Sequence, residues 1–178
     1  MALYRRLLGA RFDRLPLRVR ELHDVAAVSR WVARADVERG RGPAARLIAT
    51  VLALPPDGRD QPLSVTFEPV DGREIWTRRF GVSVFRSVQY ERGGLLRERA
   101  GPVTFLFAPE ASGEGLALNL RGVRFLGVPL PRFAHPSVRT FESERDGRYS
   151  FDVEGSLPLV GLIVRYAGWL ERAGPASA

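Results

Sequence analysis

Leu63-Ser64-Val65-Thr66-Phe67-Glu68-Pro69-Val70-Asp71-Gly72-Arg73-Glu74-Ile75-Trp76-Thr77-Arg78-Arg79-Phe80 alternates apolar and polar residues on both sides of a central Asp-Gly pair. A period of two sends successive side chains to opposite faces of an extended chain. Asp-Gly accepts the two positive φ angles of a tight hairpin turn. A two-residue loop also sets the register: Val70 faces Arg73, Phe67 faces Trp76, Val65 faces Arg78 and Leu63 faces Phe80. One face then reads Leu63, Val65, Phe67, Trp76, Arg78 and Phe80, and the other Ser64, Thr66, Glu68, Ile75, Thr77 and Arg79. Arg78 is the charge that this register puts on the apolar side.

The same pattern runs on to the C-terminal end, cut by Gly93-Gly94, by Gly113 and Gly115, and by Asp146-Gly147. It predicts strands over 61–170, near 63–70, 73–80, 84–91, 95–99, 103–108, 116–125, 138–145, 148–155 and 162–170. Upstream, 31–39 alternates as Trp31, Ala33, Ala35 and Val37 against polar or smaller residues, a first strand stopped by Gly40, Gly42 and Pro43. Pro43 suits the first position of a helix over 43–54, which Pro55 and Pro56 end. In the segment 1–24, Leu3, Leu7, Leu8, Phe12, Leu15, Val19 and Leu22 recur at three- and four-residue steps, an amphipathic helix that Pro16 divides in two. An open flat sheet of this many strands leaves edges exposed. The fold expected is mainly β: a strongly curved antiparallel β-barrel or half-barrel of about nine or ten strands, with N-terminal helices and one helix after the first strand. It forms one domain over 1–172, with a flexible tail over 173–178.

The bulk composition narrows the function. A formal charge of +7 suits phosphate-bearing partners, yet all 27 basic residues are Arg, a bias that a GC-rich genome also produces. They are interspersed with acids along the chain instead of forming a stripe, so nucleic acid is not the expected partner. Cys is absent, which excludes disulfides and thiolate chemistry. Residues 1–9 lack a secretory apolar core, and 157–170 is interrupted by Arg165 and too short for a bilayer. A cytoplasmic protein without a membrane span is expected.

The second Asp-Gly pair opposes Arg145 to Arg148, Glu144 to Tyr149, Glu142 to Phe151 and Thr140 to Val153. Glu142 therefore points inward as Arg78 does, and an inward Arg and an inward Glu from different hairpins most simply satisfy each other. Glu98 is a further candidate. Two readings follow. In one, Arg78 anchors the acidic head group of a hydrophobic ligand in a cavity lined by Trp76, Phe80, Phe67, Tyr149 and Phe151, since a planar guanidinium holds carboxylate or phosphate bidentately. In the other, an internal ion pair closes a filled core. An enzyme on a lipid-like or isoprenoid-like substrate, with Glu142 or Glu98 as acid or base, is the alternative function.

Other motifs carry less. Gly40-Arg41-Gly42-Pro43-Ala44-Ala45 matches a dinucleotide fingerprint, but the strand before it alternates and no parallel strand follows, so a turn and helix start explain it. His23 reads as a helix-end residue and His135 as a loop residue. With two histidines far apart in sequence, neither a metal site nor a cofactor is expected. Ser83 and Ser87 lack a nucleophile elbow.

Several segments together resemble a bacterial family known only as domain of unknown function 4166. They are Leu22-His23-Asp24, Glu38-Arg39-Gly40-Arg41-Gly42 leading to Leu54-Pro55, Trp76-Thr77-Arg78-Arg79-Phe80, Glu98-Arg99-Ala100-Gly101-Pro102, Gly127-Val128-Pro129-Leu130-Pro131, Asp146-Gly147-Arg148-Tyr149-Ser150-Phe151-Asp152-Val153, and Pro158 with Tyr166, Gly168 and Trp169. Ala100 departs from the bulky aromatic of relatives. The resemblance implies a domain that stands alone or behind a saccharopine-dehydrogenase-like NAD-binding domain, hence a possible reductase partner. It brings no catalytic residue with it.

Overall fold

Both Asp-Gly pairs form the turns their chemistry favours, with φ of 48° and 74° at Asp71 and Gly72 and of 50° and 71° at Asp146 and Gly147. The registers that follow are the expected ones: Val65 opposite Arg78 and Phe67 opposite Trp76, and Glu142 opposite Phe151. The computed structural model describes residues 1–174, so the tail expected over 173–178 lies for its last four residues outside the described residues.

In chain order the elements are α1 (Leu3–Leu8), a 3-10 segment (Gly9–Arg14), α2 (Leu17–His23), β1 (Ser29–Arg39), α3 (Pro43–Val51), β2 (Gly58–Val70), β3 (Arg73–Phe80), β4 (Ser83–Arg92), β5 (Leu95–Ala100), β6 (Val103–Ala111), β7 (Leu116–Phe125), β8 (Val128–Pro129), a 3-10 turn (Arg132–Ala134), β9 (Ser137–Arg145), β10 (Arg148–Leu157) and β11 (Gly161–Arg172). The break at Pro16 falls where the fixed proline ring forbids a continuous helix, and the first half tightens into 3-10 geometry before it. The bounds depart from the pattern reading in several places: α3 stops at Val51 instead of 54, β2 begins at Gly58 instead of near 63, β6 runs on to Ala111 instead of 108, and β8 is a two-residue strand that alternation is too short to reveal.

All strand pairs are antiparallel, in the order β6-β5-β4-β3-β2-β1-β11-β10-β9-β7-β8, and β6 pairs with β7 to close the circle. With β8 only an appendage, ten strands form a closed barrel, which leaves no long edge unpaired. The seam between β7 and β9 is the thinnest. Only Leu116 with Glu142 and Ala117 with Phe141 are in register, after which the Leu118 backbone N-H donates to Thr140 Oγ1 at 3.1 Å. A Cβ at Gly115 would collide with the carbonyl oxygen of Glu142, so the seam closes only because residue 115 has no side chain.

Antiparallel hairpins put alternate connections at opposite ends of the barrel. One end takes α1, the 3-10 segment and α2, whose Leu3, Tyr4, Phe12, Val19 and Leu22 are fully buried and fill it. The other end carries α3, packed through Ala45 and Ala49 on Ile163. Gly40 belongs to this packing: a Cβ there would strike the Leu162 carbonyl, which accounts for the glycine without any nucleotide.

Candidate ligand-binding site

Inside the barrel, from its middle to the α3 end, lies a cavity of about 250 Å³. Its wall is mostly apolar, with Leu54, Phe85, Phe105, Phe107, Val153 and Tyr166 among the lining residues. Of the eight residues singled out from sequence, Trp76, Arg78, Glu98 and Glu142 line it. Phe67, Phe80, Tyr149 and Phe151 are inside the barrel but belong to the packed core; Phe67, for instance, meets Trp76 edge-on with ring centroids 4.6 Å apart. Phe85 and Gln89 were legible in principle, because the short Gly81-Val82 loop sets the inward positions of β4. Phe105 and Tyr166 enter only through barrel closure.

Arg78 points inward at mid-strand and is buried. Its Nη1 donates to Ser87 Oγ at 3.0 Å and its Nη2 to Glu98 Oε1 at 3.4 Å, while the Ser87 hydroxyl donates to the same Glu98 oxygen at 2.6 Å. The guanidinium carbon lies 4.9 Å from the Trp76 ring centroid and 5.2 Å from that of Phe85. The cation thus stands between two π faces that attract it. Guanidinium has five N-H donors, so this set leaves some of them free of a protein partner.

The expected pairing of Arg78 with Glu142 does not form. In the closed order β3 and β9 are five strands apart in either direction, on opposite walls, whereas β5 is two strands from β3. Arg78 therefore takes Glu98. Glu142 instead accepts a short hydrogen bond from Nε2 of His23, which is the last residue of α2 and fully buried. Nδ1 of His23 has no hydrogen-bonding partner among the described residues, so Glu142 is the polar group that orients the ring. The Tyr4 ring packs on the imidazole at a centroid distance of 3.9 Å, and its hydroxyl donates to Gln89 Oε1 at 3.0 Å. His23 was missed as a partner because 119 residues separate it from Glu142 and only the seating of α2 joins them.

Burial, followed by the negative charge of Glu142, holds the Tyr149 phenol well above its ordinary range; burial does the same to Tyr4. Glu74, also missed from sequence, turns inward beneath α1, where it accepts from the Leu3 backbone N-H at 3.2 Å and from Trp76 Nε1 at 3.1 Å. Desolvation raises its carboxyl above the usual value, and those hydrogen bonds only partly offset it. The interior thus holds two polar stations facing each other across an apolar space: an Arg–Ser–Glu cluster on one wall and a His–Glu pair on the other. Among the described residues no group of three or more His, Asp or Glu could hold a metal ion. Among the described residues no helix is long and apolar enough to cross a membrane.

No curated protein matches the chain. A family model matches residues 15–170, from the last residue before Pro16 to the end of the wall in β11, and the chain accordingly belongs to the family described as Domain of unknown function (DUF4166).

Proposed function

We propose that the protein is a binding module for a hydrophobic small molecule with an acidic head group, held in the barrel cavity with the head at Arg78. The observation that carries this reading is a guanidinium inside an apolar cavity with donors to spare. At about 250 Å³ the space approaches the roughly 300–1,000 Å³ of ligand sites. The head group has to share the guanidinium with Glu98, whose single contact is long. Mass spectrometry of the protein under native conditions, with extraction of whatever it carries, tests this. A bound amphiphilic acid is expected; Glu98→Gln should tighten its binding and Arg78→Gln should weaken it, each by about tenfold, on the scale of one charged hydrogen bond. A ligand that ignores both substitutions sinks the acidic head group. On this reading the protein works in the cytoplasm beside the NAD-binding reductase that the family resemblance implies.

A second reading is supported by the His23–Glu142 pair. A cavity-lining carboxylate held by an imidazole is suited to moving a proton on a lipid-like substrate. Loss of turnover in Glu142→Gln, with the fold intact, would favour it over pure binding.

A further inference from the structure

The two ends of the barrel differ in what their turns expose. At the end filled by the N-terminal helices, the turns at 70–73, 91–95, 110–116 and 145–148 each carry charge. At the α3 end, the turns at 80–84, 100–103, 125–128 and 157–161 contain no charged residue. Their tips are apolar and project into solvent: Val82 is 101% exposed, Leu126 73% and Leu159 109%, joined by Phe133 at 81% from the 3-10 turn before β9. Leu126 and Leu159 moreover have φ of 49° and 64°, a left-handed conformation that is unfavourable for a bulky side chain. Leu126-Gly127 repeats the two positive φ angles of Asp71-Gly72 and Asp146-Gly147, with Leu in the place where those turns use Asp. Turn chemistry disfavours that leucine, so something outside the turn accounts for it.

Around these tips stand Arg46, Arg79, Arg99 and Arg132, all exposed, and among the described residues none pairs with a carboxylate. The acid in this end's loops, Asp57, accepts from the Arg39 backbone N-H. Apolar tips inside a cationic collar fit a surface that is apolar within and anionic outside. We infer that the α3 end of the barrel docks on an anionic membrane surface, with Val82, Leu126, Phe133 and Leu159 entering the lipid boundary and the four arginines meeting the head groups. A second copy seated on the same face would set those arginines against their own charge. The inference stands on exposure, turn strain and charge, and does not need the cavity to be occupied. If the cavity does carry an amphiphile, this face is where it passes, since Leu54, Ala100, Val103, Leu130 and Leu157 line the cavity from the same connections.

Co-sedimentation with vesicles of phosphatidylcholine and phosphatidylglycerol, against vesicles of phosphatidylcholine alone, tests the inference. The full chain is expected to bind the anionic vesicles at least tenfold more tightly, and to be released by high salt as screening predicts. Leu159→Asp and Phe133→Asp should each weaken binding at least tenfold, while Val70→Asp at the opposite end should change nothing. Leu126→Asn carries the strongest discrimination: it should raise the melting temperature, because the turn gains a residue that accepts positive φ, and at the same time weaken vesicle binding. Gly155→Leu, which narrows the cavity, should leave vesicle binding unchanged, so failure of the cavity reading and failure of this one separate. Equal binding to both vesicle types overturns the inference, as do rim variants that bind like Val70→Asp. A dimer that Leu159→Asp dissociates would assign the face to a second copy instead.

Discussion

The upper and lower halves of this barrel share one closed wall and differ in what fills it. Under α1 and α2 the interior is solid: Leu3, Tyr4, Phe12, Leu22 and Phe67 leave essentially no surface to solvent. Toward α3 the wall lines about 250 Å³ of space. The N-terminal helices insert side chains into their end, while α3 lies on β11 and contributes Ile48 to the lining, joined by Leu52 and Leu54 from the turn that follows it. Ten strands make a tube wider than wall side chains alone can fill, so content depends on what is brought to each end. Packed volume and open space are thus assigned to different halves of one sheet.

The largest expected effect that could break this division is in the solid half. Phe12→Ala should cost about 3–5 kcal/mol in urea unfolding, since the closed wall cannot collapse into the void. A loss below about 1 kcal/mol would mean that the plug is dispensable. Next comes the boundary between the halves. His23→Leu removes the donor that faces the buried Glu142 carboxylate and should cost about 1–3 kcal/mol at neutral pH, read from the same unfolding curve.

In the hollow half an addition replaces a truncation. Gly155 has no atom within 4 Å of where its Cβ would stand, and it lines the cavity. Gly155→Leu should therefore raise stability by about 0.5–2 kcal/mol, the usual gain of cavity filling, while abolishing any co-purifying ligand. A destabilised Gly155→Leu would show that the lower half is packed after all.

The smallest effect is a pH dependence. Burial raises the Glu74 carboxyl above its unfolded value, so its contribution to stability is fully present below the ordinary carboxylate range and is lost as pH rises through the raised value. Unfolding measured between pH 3 and 7 should show this component in the parent and not in Glu74→Gln; a component of opposite sign would contradict the burial argument.

Reading the chain in order recovers much of the wall. Asp71-Gly72 and Asp146-Gly147 specify their hairpins because few residue pairs accept two positive φ angles, and each register follows with them. Arg78 on the inner face follows from the same arithmetic. Its partner did not: alternation states which face a residue takes, and says nothing of how far round the barrel another strand stands. The family resemblance drawn from segments such as Trp76-Thr77-Arg78-Arg79-Phe80 agrees with the family match over residues 15–170, which begins after the plug residues Leu3, Tyr4 and Phe12.

What the sequence by itself determined is local: strand after strand, two turns with their registers, the helix break at Pro16 and an arginine turned inward. Each is settled by dihedral preference or by the period of two, which act over a few residues. Only the tertiary structure decided that β6 meets β7, that Arg78 takes Glu98 while His23 takes Glu142, and that one half stays hollow. Those outcomes depend on closure and on packed volume, which are properties of the whole barrel and of no single segment.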